Sequence, residues 1–558
     1  MSLRPQQPIP PAPDDTARVA RAAFRRGNPY LLLRDRLGAV FDDAGFADLY
    51  PKRGQPAYAP WRLALVTLMQ FREGLSDRQA ADAVRARIDW KYLLGLGLAD
   101  PGFDHSVLCE FRGRLLEHAA AERLLARVLD AAREDGLLKA QGRQRTDSTH
   151  VLAAIRVLNR LELAGETLRA ALNTLAAVAP TWLCGVASPD WHDRYDRRVE
   201  DARLPGASPK RDAYAAQVGT DGFRLLDALD APDAPPDAVA LPVVGLLRRV
   251  WTRHFERVEA DPGGGGASGR ARLRAVPDSG GGRVESPYDA DARFRTKRGA
   301  NWTGYMVHLT ESCDEGKPRL LLHADTTPAN VADSARLAAI HEALAAKGLA
   351  PSEHLVDAGY VSAEHLVVAR ERHGIDLVGP ARPDPSWQNR HGAAFGAGDF
   401  VVDWDRRMAR CPEGKESTGW AVCGKKKGGG SGYVRTNFRA EDCRACPSRA
   451  RCTRSRDPYQ GRILTLLPRR EYEALAAARA RANAREGRRL YGLRQGVRHD
   501  VAGGPRLRPA PRALPRAGQD RAAERCHRRG HQSRPLGGLV QRTATRATRA
   551  SRFAALAA

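Results

Sequence analysis

Gln144-Arg145-Thr146-Asp147-Ser148-Thr149-His150 and, far downstream, Glu353-His354-Leu355-Val356-Asp357-Ala358-Gly359-Tyr360 decide the fold. Each run carries one carboxylate at the end of a short stretch suited to a β-strand. A strand end is a rigid support, and carboxylate oxygens suit hard cations such as Mg²⁺. Two such aspartates meeting on neighbouring strands predict two-metal phosphoryl transfer, with DNA as the substrate class; a third acid is then required.

The surrounding sequence sets these strands in a mixed α/β chain. Residues 1–28, Pro-rich at the start, read as a disordered leader, and 29–137 as a helical domain. In the latter, Trp61, Leu63, Leu65, Val66, Leu68 and Met69 make an apolar stretch stopped by Gly74. Ser76-Asp77-Arg78-Gln79 then has the form of a capping box that starts a second helix, and Asp104-His105-Ser106 starts a third. Helix, tight turn and capped helix predict a helix-turn-helix-like DNA-binding unit, as any small helical bundle with such turns also would. Residues 138–494 read as the α/β core. Strands are expected around Asp147, over Trp302 to Thr310, over Arg319 to Ala324 and before Asp357, with a helix from Val331 to Lys347. A helical insertion of about 156–285, helical near Ala153–Val178 and Ala238–Val258, separates the first strand from the rest, with breakers at 230–236 and Gly263–Gly266. A Cys-containing insertion occupies about 405–455.

Ninety Lys+Arg against 65 Asp+Glu leave a net charge of +25, which favours a polyanionic partner. Codon usage in a GC-rich gene supplies Arg and Ala as well, and no Lys follows Lys427. No apolar run approaches the roughly 20 residues that span a bilayer. The start of the chain lacks an apolar signal core, so a cytoplasmic protein with no membrane partner is expected, its nine cysteines thiols or metal ligands rather than disulfides.

Ser286-Pro287-Tyr288-Asp289-Ala290-Asp291-Ala292-Arg293, Thr296-Lys297-Arg298, Trp302-Thr303-Gly304-Tyr305 and Val307-His308-Leu309-Thr310-Glu311 lie between the two aspartate runs. Together these motifs resemble the bacterial insertion-sequence transposases of the DDE type, and residues 45–135 resemble the helical domain that precedes their catalytic core. The resemblance covers roughly 30–494 and is specific only in combination. It implies a ribonuclease-H-like core, cleavage at transposon ends and strand transfer, double-stranded DNA partners (ends and target), and a homodimer. It also implies Asp147 and Asp357 as the first and second catalytic acids, holding two Mg²⁺ ions.

The third acid of that family follows a helical Tyr by seven residues and an Arg by four. Here Tyr491 and Arg494 keep the spacing and Arg498 stands where Glu is due; Glu473, Glu486 and Asp500 lack it. Residues 495–558 form an aberrant tail, disordered and rich in Arg, Pro and Gly; from 491 on the chain has fifteen Arg and three acids, Asp500, Asp520 and Glu524. Residues 547–556 again resemble the family's C-terminus. A nucleotide shift near codon 498, compensated before about codon 546, accounts for both facts; an Arg-rich DNA-binding tail is the rival. A chain so altered is expected to be inactive: a non-catalytic DNA-binding remnant. A nuclease of the same fold is the third reading.

Cys443-Arg444-Ala445-Cys446 is a C-x₂-C half-site for tetrahedral Zn²⁺, Cys452 follows it, and Cys411 or Cys423 could supply the fourth ligand. Reduced thiols are the alternative. Lys297, Arg298 and Arg494 are candidate phosphate contacts, and Trp302 could stack on an unpaired base. His308, His323 and His354 flank the strands and read as packed residues.

Overall fold

The computed structural model describes residues 2–3, 9–38, 40–153, 155, 158–206, 208–258, 270–277, 283–297, 299–382, 384–390, 394–424, 432–457, 459–483 and 552–553. Gly263–Gly266, Arg298, Glu486, Tyr491, Arg494, Arg498 and Asp500 lie outside them, as does the tail apart from 552–553.

The chain begins with α1 (Asp14–Ala23), α2 (Pro29–Leu37), α3 (Pro60–Glu73), α4 (Asp77–Ala86), α5 (Ile88–Leu94), α6 (Ser106–Glu117) and α7 (Glu122–Glu134). Within the segment expected to be a disordered leader, α1 is a packed helix. Ala20 is fully buried and the Thr16 hydroxyl donates to the Leu96 carbonyl at 2.9 Å. Thr16, Ala17 and Ala20 share its contact side at helical spacing. Gly74 closes α3 in the left-handed conformation at φ +66°, where a side chain would be strained. The Ser76 capping box then forms as the sequence predicts, with the Gln79 amide donating to Ser76 Oγ at 3.4 Å and the Ser76 amide donating to Gln79 Oε1 at 2.9 Å. Trp61, Trp90, Phe46 and Phe111 are buried in this helical core.

Next come β1 (Arg143–Leu152), α8 (Arg160–Val178), α9 (Pro180–Val186), α10 (Pro189–Tyr195), α11 (Ser208–Asp230), α12 (Pro236–Val239) and α13 (Pro242–His254). A hairpin of β2 (Phe255–Val258) and β3 (Arg270–Leu273) follows, then β4 (Arg293–Lys297), β5 (Ala300–Ser312) and β6 (Leu321–Pro328). After them run α14 (Leu337–Ala346), β7 (Glu353–Val356), α15 (Ala363–His373), β8 (Asp376–Val378) and α16 (Trp387–Arg390). The last described elements are β9 (Val401–Asp403), β10 (Met408–Arg410), β11 (Gly419–Cys423), β12 (Tyr433–Asn437), α17 (Ala440–Arg444), α18 (Arg449–Cys452), β13 (Ile463–Leu466) and α19 (Arg469–Asn483).

These elements divide into two compact units. One holds the N-terminal residues to Ser148, His308–Asp325 and the described residues from Ala332 to 483; the other holds Thr149–Val307, Thr326–Val331 and residues 552–553, masked positions apart. The sheet order is β4-β5-β1-β7-β8, with β6 also on β5. β1 and β7 are parallel, with Thr146 opposite Val356, and β7 and β8 are parallel, with Leu355 opposite Val378. β5 runs antiparallel to β1, because the Cys313 amide meets the Arg143 carbonyl at one end and Ala153 meets Thr303 at the other. α14 and α15 supply the covering layer through Leu337, Ile340, Leu344 and Ala369, packed with Leu322, Val356 and Leu377. The chain is therefore mixed α/β, with an all-helical N-terminal part.

The second unit has its own core of Leu168, Leu172, Trp191, Val218, Leu225, Leu247 and Trp251 on the inserted helices. The insertion is helical as expected, with α11 as a further long helix absent from the sequence reading. Phe553 is fully buried in that core and stacks on His192 at 4.5 Å.

Candidate active site

β7 ends at Val356, so Asp357 lies one residue past the strand, as its sequence predicts. β1 is longer than expected and continues to Leu152, which puts Asp147 inside it. Pairing with β7 ends at Thr146–Val356, so Asp147 and Asp357 are the residues that follow the last pair of this parallel ladder. Both aspartates are half-buried, each preceded by a buried residue. The Ser148 amide donates to Asp147 Oδ1 at 2.8 Å, and the Gly359 amide donates to Asp357 Oδ1 at 2.6 Å, which fixes each carboxylate against its own backbone.

A third carboxylate joins them. Asp333, buried at 6% exposure, lies just ahead of α14 and beside Gly359. A Cβ on Gly359 would stand 2.8 Å from Asp357 Oδ1 and 3.1 Å from Asp333 Oδ2, so glycine is what leaves both oxygens their space. Tyr360 reports the same crowding. Burial first, then the charges of Asp333, Asp147 and Asp357, push its phenol well above the ordinary value, with Ser148 partly offsetting them. Asp333 escapes sequence reading because it falls in the first turn of the helix expected from Val331, where an acid reads as solvated; α14 starts only at Leu337. Other acids of this region are committed to arginines: Glu311 to Arg145, Glu353 to Arg143 at 3.0 Å, and Asp325 to Arg336 at 2.7 Å.

Beneath the aspartates runs a buried polar chain. His341 Nε2 shares a hydrogen bond with His354 Nδ1 at 2.9 Å, and His354 Nε2 shares one with Thr146 Oγ1 at 2.7 Å. Thr146 Oγ1 in turn pairs with Thr310 Oγ1 at 2.7 Å, while His308 Nδ1 meets the Tyr360 hydroxyl at 2.5 Å. The histidines are thus packed and hydrogen-bonded, as the sequence implies, and they brace the residues next to Asp147 and Asp357. His323 likewise meets Lys347 Nζ at 3.1 Å.

Burial, then His373 and His365, pushes the His341 imidazole down to about 4, and burial with His341 holds His354 well below its ordinary range. Both are neutral at pH 7. Below about 6.5 an unfolded imidazole takes up a proton that the folded His341 refuses until near 4. The unfolded state therefore binds more protons across that window, and stability should fall as pH drops through it, by up to ~3 kcal/mol for His341 alone. Urea midpoints at pH 7 and pH 5 measure this; an unchanged slope in His341→Gln would contradict it.

Lys297 closes β4 opposite Ala300 and is half-buried. Trp302 is 7% exposed and packs 5.3 Å from the His150 ring, so burial removes it from base stacking. Of the cysteines, Cys411, Cys443, Cys446 and Cys452 line one cavity; Cys423 ends β11 and is not on its wall. Among the described residues no group of three or more His, Cys, Asp or Glu side chains is arranged to hold a metal ion as it stands. No described helix is long and apolar enough to cross a membrane.

Two family models match the chain. One, described as a transposase domain (DUF772), spans residues 20–114, from the end of α1 into α6. The other, described as a transposase DDE domain, spans residues 410–532; it starts at the Cys411 turn and includes Arg498 and part of the Arg-rich stretch beyond it. Neither contains Asp147 or Asp357. No curated protein and no solved structure matches.

Proposed function

We propose, from the premise that this chain is an insertion-sequence transposase of the DDE type, that Asp147 and Asp357 are its first and second catalytic acids. The observation that carries the reading is that each aspartate directly follows the last pair, Thr146 opposite Val356, of the parallel β1–β7 ladder. The order β6-β5-β1-β7-β8, with β5 antiparallel to a central β1, supports a ribonuclease-H-like core. Asp333 stands beside Asp357 over Gly359 as a further carboxylate.

The donors fit Mg²⁺ in kind, since all are carboxylate oxygens, and Asp147, Asp357 and Asp333 would hold it. When bound, such ions activate water or a DNA 3′-hydroxyl and stabilise the leaving oxygen. The chain's own residues fix where the carboxylates stand: the Ser148 and Gly359 amides hold them, and the His354–Thr146–Thr310 chain keeps β7, β1 and β5 in register.

The family's third position is Arg498, a guanidinium where a carboxylate is needed, so the chain is a transposase with a damaged site. A local change of reading frame explains the Arg-rich stretch. Translation of codons 490–550 in the other two frames tests this; the absence of a Glu-Gly-Thr-like start followed by an apolar-periodic helix would end it.

DNA recognition outlives the chemistry on this reading, which favours a DNA-binding remnant over a nuclease. Duplexes from the flanks of the gene should bind the full chain more tightly than scrambled duplexes, with affinity falling steeply as salt rises. Binding should be unchanged, within about twofold, in Asp147→Ala, because one carboxylate contributes little to phosphate neutralisation. Equal affinity for flank and scrambled DNA in a fluorescence-anisotropy titration would overturn the proposal.

A further inference from the structure

We infer that Cys411, Cys443, Cys446 and Cys452 bind one structural Zn²⁺ that staples the small β-sheet module around β9–β13. This site is independent of Asp147 and Asp357. Its four sulfurs come from separate turns of chain: Cys411 from the tight turn after β10, Cys443 from α17, Cys446 just beyond it, and Cys452 from α18. All four line a single cavity of about 30 Å³, backed by Phe400 and Phe438. That is room for a water or one ion and little else.

Backbone amides point at two of the four sulfurs. The Lys415 amide donates to Cys411 Sγ and the Arg462 amide donates to Cys443 Sγ, each at 3.3 Å. Backbone N–H groups aimed at sulfur are the outer-shell contacts that orient ligands around a metal. Gly414, at φ +80°, lets the chain turn back so that its amide reaches the Cys411 carbonyl at 2.9 Å and the next amide reaches the sulfur. Zn²⁺ with four thiolates is doubly negative, and Arg462 and Arg449 on the cavity wall supply compensating charge, while Lys415 pairs with Asp442 at 3.4 Å.

The module also needs a staple. Its buried apolar set is Phe400, Ala409, Val434, Phe438, Leu464 and Leu466, a small core of the kind that metals or disulfides commonly support. None of its cysteines is in a disulfide. As they stand the four thiols line the cavity without closing on a point, and the ion supplies the closure.

The test uses the full chain, purified reduced and without chelator. Elemental analysis should find close to one zinc per chain, and replacement by Co²⁺ should give thiolate charge-transfer and tetrahedral d–d bands. Cys446→Ser and Cys452→Ser should lose the zinc and the bands; Cys423→Ser should keep both. Should those variants fail to fold, the unmutated chain still decides: a thiol reagent should react slowly with four of the nine cysteines until EDTA is added. Absence of zinc and of cobalt bands after reconstitution, zinc retained undiminished in Cys446→Ser and Cys452→Ser, or no EDTA-dependent thiols would each overturn the inference.

Discussion

Full-length protein supplied with Mg²⁺ should leave transposon-end DNA neither nicked nor joined. A carboxylate facing a cation at about 4 Å contributes on the order of 4 kcal/mol per unit charge at an effective dielectric constant near 20. Losing it costs about three decades in rate, and the guanidinium of Arg498 adds repulsion on top. Arg498→Glu alone should restore little, because the residues that follow it lack the apolar spacing of a helix able to hold the new acid against the sheet. Replacing residues 498–545 by the alternative-frame translation should raise joining by ~10³-fold or more. Assays that score hydrolysis and joining separately read the result. Robust cleavage by the unaltered chain would show that Asp333 or another acid completes the site.

Glu311→Ala should destabilise the sheet unit by ~3–5 kcal/mol, because it removes the carboxylate that pairs with the buried Arg145 guanidinium. Arg145 is 1% exposed and pairs with Glu311 across β1 and β5, two residues from Asp147. Replacing both by leucine should cost far less, since a buried ion pair exchanged whole for apolar side chains is often near neutral. Hydrogen exchange of the β1 amides is the suitable readout, because it reports the sheet rather than the whole two-unit chain. A change within ~0.5 kcal/mol in Glu311→Ala would mean that solvent reaches Arg145 more freely than its burial indicates.

The strands that hold Asp147 and Asp357 were legible because short β-rich runs broken by Asp have few other folds available. The helices α3 and α4 were legible for a different reason: apolar spacing and the Ser76–Gln79 cap coincide. α1 was not: Thr16, Ala17 and Ala20 do share one face at helical spacing, but the Pro-rich start before them reads as disordered. α11 went unread between its neighbours, although Val218, Leu225 and Leu229 pack within it. Trp302 beside two cations read as a stacking platform, and only the sheet shows that its face is covered. Asp333 is the instructive miss at the site. Nothing local distinguishes a buried loop acid from an exposed one; the fold of α14 against β7 does that. Spacing equally left Cys411 and Cys423 open as the fourth cysteine, and the turn after β10 places Cys411 on the cavity wall.

The most direct measurement is anomalous diffraction from crystals soaked in Mn²⁺, an oxygen-seeking stand-in for Mg²⁺. A manganese peak within ligand distance of both Asp147 and Asp357, lost in Asp357→Asn, is the predicted result. Manganese bound only elsewhere, or none between these aspartates at saturating concentration, would contradict the assignment of Asp147 and Asp357 to metal.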